Sequence, residues 1–188
     1  MKKAFLAVPV AVLAIVAGAI LTDDSGARAT WTWNQGVPRS PHTPTRAERG
    51  VAQSDRVDLA SIRSLVTRRG LSILAARRGA DACLSVSTGA IAESYECGQA
   101  LRRPVFFRTV TTGRGSLIAT YTLVGAARHD VRSVVLTLAD GSSRPLTLGR
   151  FGEFSFSATT PDAFAISITV KTASGEETVE DISATAPS

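Results

Sequence analysis

The chain is poor in the residue types on which most enzyme sites depend. Its 188 residues include only two histidines and two cysteines. It contains neither a Gly-x-Ser-x-Gly elbow nor a lysine-bearing phosphate loop. The cysteines lack the Cys-x-x-Cys spacing of redox catalysts, and a structural zinc site needs four Cys or His ligands. We therefore predict no catalytic residue, metal ligand or cofactor.

The arrangement closest to a hydrolase site is His129-Asp130, in a loop before a predicted strand. A Ser-His-Asp triad is defined by its geometry, which a sequence does not give, so a hydrolase with an unrecognised site stays open as an alternative. Carboxylates such as Glu93, Glu96 and Glu153 have no spacing that indicates paired acid and base chemistry. The acidic residues near the C-terminus lack the spacing of a calcium loop.

The N-terminus predicts export. Lys2 and Lys3 precede an uncharged run over residues 4–21, and Ala27-Arg28-Ala29 has the small-x-small pattern of a signal peptidase site. We expect cleavage after Ala29, which would leave a protein that is secreted or attached to the outer face of the cytoplasmic membrane. The run is also just long enough to span a bilayer as a helix, so an uncleaved anchor is the alternative. Pro9 favours the signal.

Residues 30–57 are rich in proline and polar residues and show no apolar period, which predicts a tether. Trp31 and Trp33 stand at alternate positions within it. They could dock on the folded domain or form an exposed aromatic pair for contact with carbohydrate or a membrane interface. The folded domain is predicted over residues 58–188.

Cys83 and Cys97 are the only cysteines available for pairing. In an oxidising compartment an isolated pair this close in sequence favours a disulfide. Closing a loop of this length would stabilise the fold by roughly 3 kcal/mol in the chain-entropy model.

The clearest structural pattern is Val131–Leu148, in which two runs with alternating apolar residues flank Asp140-Gly141. Alternation predicts strands with one buried face, and Asp-Gly supplies the positive φ of a tight hairpin. Similar runs and turn signals recur along the chain, including a turn at Ser174-Gly175. They predict a mainly β protein, an antiparallel β-sandwich of about eight or nine short strands. Besides the N-terminal hydrophobic helix, apolar spacing suggests one short helix near residues 58–68.

The run GAARHDVRSVVLTLADGSSRPLTLGRFGEFSF, followed by an alternating strand and the Ser174-Gly175 turn, resembles a pattern in exported actinobacterial proteins. Those proteins have immunoglobulin- or fibronectin-like β-structure. The upstream CLSVS segment and the second cysteine resemble the same group's paired-cysteine region. The similarity covers roughly residues 70–180, and it implies a location and a fold without implying an activity.

Lysine is scarce, and arginine provides nearly all of the positive charge in a chain with a net charge of +5. An arginine bias is typical of GC-rich genomes, so scattered solubilising charge is one interpretation. The other is a cationic surface for anionic envelope polymers or lipid headgroups, because guanidinium groups pair with phosphate and carboxylate in a bidentate manner. Export makes nucleic acid an unexpected partner. The arginines that could form this surface are Arg68, Arg69, Arg77, Arg78, Arg102 and Arg103.

These observations favour a non-enzymatic binding or structural module at the cell envelope. A secreted hydrolase of envelope polymers is the first alternative. An extracytoplasmic sensor or accessory domain of a membrane-anchored system is the second, and it requires the N-terminal helix to be retained.

Overall fold

The computed structural model describes residues 42–98, 103–112 and 120–182. The predicted N-terminal helix, the cleavage site at Ala29, and Trp31 and Trp33 lie outside these residues. The chain is mainly β, as predicted, with one α-helix and eleven antiparallel strands in the described ranges. No helix in these ranges is long and apolar enough to cross a membrane. The elements are α1 Arg46–Ser54, β1 Arg63–Arg68, β2 Leu71–Arg78, β3 Asp81–Ser87, β4 Glu96–Cys97, β5 Val105–Thr112, β6 Thr120–Ala127, β7 Val131–Leu138, β8 Ser143–Leu146, β9 Glu153–Ala158, β10 Ala165–Thr172 and β11 Glu177–Asp181.

The strands form three sheets rather than the two of a simple sandwich. The helix-side sheet has the order β1-β2-β3-β4, the central sheet β5-β6-β9, and the C-terminal sheet β11-β10-β7-β8. The two-residue β4, and β1, which was predicted to be helical, raise the strand number above the predicted eight or nine.

The central sheet is buried on both faces. Strand residues alternate between faces, so Phe106, Val124 and Ala126 pack against the helix-side sheet. Tyr121 and Leu123 point the other way, into the core shared with the C-terminal sheet. This is why β6 is almost continuously apolar and buried from Tyr121 to Ala127.

The helix-side sheet is also covered on its second face. In β2, Ile73 and Ala75 face the central sheet, whereas Leu74 and Ala76 face a separate cluster that includes Ala52 of α1. The layers therefore follow one another as α1, helix-side sheet, central sheet and C-terminal sheet.

Two of the predicted turns are confirmed. In the β7–β8 hairpin, Gly141 has φ +81° and its N–H donates to the carbonyl of Leu138. The Ser142 hydroxyl and backbone N–H both donate to Asp140, which holds the pKa of that carboxyl below its usual range. The β10–β11 hairpin turns at Gly175, with φ +85°.

The helix predicted near residues 58–68 is wrong. Asp58 accepts a hydrogen bond from the N–H of Ala60 and caps only a 3-10 turn, Leu59–Ser61. The chain then enters β1, which pairs with β2 along its length. Cross-strand pairing outweighs the helical spacing of a few apolar residues.

The α-helix lies instead inside the segment predicted to be a tether, which is a second correction. Thr45 and Glu48 form a capping box at the start of α1, in which each side chain accepts from the other's backbone N–H. Ala52 is buried against the helix-side sheet. The folded part therefore includes residues 42–57 as well as the predicted domain. Few apolar residues of α1 pack against the sheet, so apolar periodicity alone did not predict this helix.

Glu48 is the most buried carboxylate among the described residues, with 2% of its surface exposed. One carboxylate oxygen accepts the Thr45 N–H at 2.7 Å and lies 2.7 Å from Nε2 of His42. Burial acts to raise the pKa of this carboxyl, but hydrogen bonds from Ser87, Thr45 and His42 together outweigh it and hold the pKa below its usual value. Glu48 thus fastens α1 to β3.

Glu48→Gln should lower the free energy of unfolding at neutral pH by about 1–3 kcal/mol, because it weakens a buried charge-assisted network. A carboxyl with a depressed folded pKa stabilises the protein above its unfolded pKa and loses that contribution as pH falls through the folded value. The difference between parent and variant should therefore shrink as pH falls below the ordinary value of 4.5. Urea unfolding at several pH values measures it. The exposed Glu177→Gln is the control, and an equal pH-independent loss in both variants would contradict the assignment.

The predicted disulfide is present. Cys83 on β3 and Cys97 on β4 are cross-strand partners, with their sulfurs 2.02 Å apart. The bond closes the irregular loop after β3 and fixes the two-residue β4, which makes few ladder hydrogen bonds of its own.

Gly125 leaves space for an aromatic ring on the face of the central sheet that packs against the C-terminal sheet. The ring of Phe154, its cross-strand partner, lies directly over the glycine. A Cβ at this position would overlap the ring and come within 2.9 Å of the Phe106 carbonyl oxygen.

We expect Gly125→Ala to destabilise the protein by about 1–3 kcal/mol, because neither the packed ring nor the backbone can move without strain. Phe154→Leu should also destabilise it, by removing aromatic contacts. The double variant should lose less than the sum of the two, since the smaller side chain makes room for the methyl group. Additive losses in chemical denaturation would show that the ring does not limit this site.

Candidate functional site

The tip of the β1–β2 hairpin presents two adjacent arginines. Arg68 pairs with Leu71 across the hairpin, so Arg69 and Gly70 form a two-residue loop. Both have positive φ, +49° and +80°, as a type I′ turn requires. Asn, Asp and Gly are favoured at the first of these positions, and a long side chain there is disfavoured. Local turn chemistry does not explain why position 69 is an arginine.

The two guanidinium groups bind neutral partners. Nε of Arg68 donates to the hydroxyl of Ser157 on β9 at 3.3 Å, and Arg69 donates to the hydroxyl of Thr120 on β6 at 3.3 Å. Both side chains are exposed. Within the described ranges neither forms an ion pair. The charge of the tip is therefore not neutralised by these contacts. We call Arg68 and Arg69 with Ser157 and Thr120 the hairpin-tip site.

Hydroxyl groups continue the polar surface on the other face of the same hairpin. Thr67 and Ser72 are cross-strand partners whose hydroxyls lie 2.8 Å apart, and Ser64 lies 3.1 Å from Thr67. Such groups can bond to sugar or glycerol hydroxyls but do not contribute charge.

The other predicted arginines do not join this site. Arg77 and Arg78 lie at the opposite end of β2, roughly 25 Å away along an eight-residue strand. Arg78 lies 3.9 Å from Asp81, and Arg103 lies 3.6 Å from Glu180. Arg102 is outside the described residues. Of the arginines predicted to form one surface, Arg68 and Arg69 thus lie together, whereas Arg77 and Arg78 lie at the other end of β2.

Two further arginines have structural roles. Arg108 on β5 donates to Glu93 at 2.8 Å and lies 3.6 Å from Glu96, which ties the central sheet to the loop before β4. Arg128 is 2.8 Å from Asp130. Arg108 and Arg128 therefore bind carboxylates, whereas Arg68 and Arg69 bind hydroxyls.

Charge is distributed unevenly between the layers. Residues 42–98 contain eight arginines and six carboxylates, whereas residues 129–182 contain four basic and eight acidic residues. Residues 42–98 are therefore net basic and residues 129–182 net acidic. An anionic ligand would be attracted to the half that carries the hairpin-tip site.

The described residues do not assemble a recognisable catalytic centre. Asp130, the neighbour of His129, binds Arg128 through both carboxylate oxygens, at 3.0 and 2.8 Å. Within residues 42–98, 103–112 and 120–182, no group of three His, Cys, Asp or Glu side chains could hold a metal ion. The buried hydroxyl of Tyr121 has no hydrogen-bond partner in these ranges, but its ring is stacked on Phe164 and closed off from solvent.

Comparisons with known proteins add no relative. The chain matches no protein-family model, no curated protein and no solved structure. The similarity to exported actinobacterial proteins therefore stays a prediction.

Sequence analysis identified the arginines of the hairpin-tip site but not their partners. Ser157 and Thr120 are 89 and 51 residues away from Arg68 and Arg69, respectively. Only the packing of the helix-side sheet on the central sheet brings them together. A usable local signal was the Arg69-Gly70 loop, because two residues that include a glycine between two strand-like runs indicate a tight hairpin.

Arg69→Asn should raise the free energy of unfolding by about 0.5–1 kcal/mol, because asparagine adopts positive φ more easily than arginine. Thermal and urea unfolding measure the gain. Arg78→Asn is the matched control: it removes a similar side chain from an ordinary strand position and should give no gain. A loss of stability in Arg69→Asn would show that the bond to Thr120 matters more than the turn conformation.

Proposed function

We propose that this protein is an exported, non-enzymatic binding module of the cell envelope and that it holds anionic polymers at the hairpin-tip site. The observation that carries the proposal is the Arg68-Arg69 pair. Both side chains are exposed and make hydrogen bonds only with hydroxyls of the described residues, and Arg69 occupies a turn position that disfavours arginine. An unfavourable local conformation that persists at the surface is a feature of functional sites.

The geometry suits repeated phosphate groups better than a single small anion. A guanidinium group can bind two oxygens of one phosphate, and adjacent arginines can engage successive groups of a flexible chain. Both arginine side chains are exposed, so a polymer could contact them from the solvent side. Wall polymers joined by phosphodiesters are therefore the expected ligands, with acidic glycans and lipid headgroups as weaker ones.

Two observations support the proposal that the protein is exported. The N-terminal pattern is typical of a signal peptide, and the Cys83–Cys97 disulfide is compatible with an oxidising compartment outside the cytoplasm. A structural disulfide of this kind would be unusual in the bacterial cytosol.

The parent chain should bind immobilised inorganic polyphosphate, and the double variant Arg68→Gln, Arg69→Gln should bind it much more weakly. The plot of log affinity against log salt should become shallower by roughly 1.5 units of slope, because the loss of two arginines reduces the number of counterions released. Arg77→Gln, Arg78→Gln is the matched control with the same change of net charge, and it should keep most of the affinity.

Neutral dextran and anionic vesicles separate the possible ligands. Binding to dextran would indicate sugar recognition, and stronger binding to vesicles than to polyphosphate would indicate a headgroup. Equal losses in the two double variants would mean that net charge alone drives binding, which contradicts a site at the hairpin tip.

A further inference from the structure

An open groove runs between α1 and the turn formed by residues 88–92. Its volume is about 680 Å³. Ala47, Gly50 and Val51 of α1 line one side of the groove, and Ile91 lines the other. The lining is therefore mostly apolar, although the groove is open to solvent along the surface of the domain.

Ile91 is exposed on this turn. Its exposed fraction is 71%, the highest value for a large apolar side chain in the described ranges. Hydrogen bonds hold the turn that carries it. The N–H of Thr88 donates to the Ile91 carbonyl at 2.9 Å, and the N–H of Gly89 donates to the Ser87 hydroxyl at 2.9 Å. A fixed turn that presents an isoleucine beside a groove is suited to an apolar partner.

Gly50 is the middle residue of α1, and it is exposed. Glycine in the middle of a helix is destabilising relative to alanine, because it loses more conformational freedom on folding. A Cβ at this position would meet nothing within 4 Å. Packing among the described residues therefore does not require the glycine, whereas the close approach of another backbone would.

The charges at the two ends of α1 are complementary to each other. Arg46 is the first residue of α1, at the positive end of the helix dipole, where a cation is disfavoured. The last turn of α1 contains no basic residue, and Asp55 follows it. In the described ranges neither Arg46 nor Asp55 forms an ion pair. An antiparallel copy of α1 would place its own Arg46 beside this negative end, where a cation is favoured.

The arrangement of these features is symmetric about Gly50. Positions 46 and 54 are each four residues from it, so an antiparallel crossing at Gly50 sets Arg46 of one copy level with Ser54 of the other. The two grooves then face each other, with Ile91 of both copies enclosed between them. A two-fold interface uses the same patch on both molecules in this way.

We infer that a second copy of this chain covers the groove, through antiparallel packing of the two α1 helices at Gly50 and burial of Ile91 from both copies. A helix of nine residues and one turn per copy give a contact at the small end of protein interfaces, so we expect a weak dimer. The patch and the hairpin-tip site have no residue in common, so the dimer is independent of the proposed function.

Sedimentation velocity of the chain recovered from an exporting host tests this directly, at protein concentrations from low micromolar to near-millimolar. The parent should shift from the mass of one chain to twice that mass as the concentration rises. Ile91→Asp should weaken the dimer by more than about tenfold, because each dimer would bury two unpaired charges. Val179→Asp, which alters the other exposed large apolar residue, on β11, should leave dimerisation unchanged.

Gly50→Leu is a second variant, which separates the crossing helices without adding charge. Leucine favours helix formation, so the single chain should fold and should stay monomeric at every concentration. Retention of the native fold is checked by urea unfolding of the same samples.

A charge exchange tests the antiparallel orientation. Arg46→Glu should weaken the dimer, because it places a carboxylate beside the negative end of the facing helix. Ser54→Arg should weaken it as well, because the new arginine would face Arg46 of the other copy. The double variant should restore the dimer, since the two substituted side chains then attract each other across the interface.

A parent that stays monomeric at the highest concentration would overturn the inference, as would a dimer that both Ile91→Asp and Gly50→Leu leave intact. A charge exchange that does not restore the dimer would contradict the antiparallel packing of α1. Binding of a monomeric parent to anionic vesicles, abolished in Ile91→Asp, would assign the patch to a membrane surface and also overturn the dimer.

Discussion

Burial of the central sheet on both faces is the constraint on which the rest of the structure depends. Val124 of β6 contributes to one core and Leu123 to the other, and both are completely buried. Burying one such side chain stabilises a fold by about 1.5–3 kcal/mol. Because adjacent residues of one strand serve two cores, the outer sheets are linked through β6. The close approach of Phe154 to Gly125 fixes the distance between two of these strands.

The two surface features follow from this layering. The hairpin tip meets Ser157 and Thr120 only because the helix-side sheet packs over β6 and β9. On the far side of the same sheet, Leu74 and Ala76 need a cover, which α1 provides. α1 does not cover the neighbouring 88–92 turn, in which Ile91 is exposed.

The parts of the fold that sequence predicted are those governed by local physics. Alternation and positive-φ glycines located the Asp140-Gly141 and Ser174-Gly175 hairpins, and the oxidising-compartment argument paired Cys83 with Cys97. The errors occurred where contacts between residues far apart in sequence determine the secondary structure. β1 was predicted to be helical because its apolar residues have helical spacing. Its pairing with β2 cannot be recognised from that spacing. α1 was not predicted because few of its apolar residues pack against the sheet. Its start depends instead on the capping residues Thr45 and Glu48.

Hydrogen exchange of the backbone amides tests the central claim most directly. If one strand links the two cores, the amides of Leu123, Val124 and Gly125 should exchange only through global unfolding. Their opening free energy should equal the value from urea denaturation. The account would be contradicted if β7 and β10 kept full protection while these β6 amides exchanged through a smaller opening.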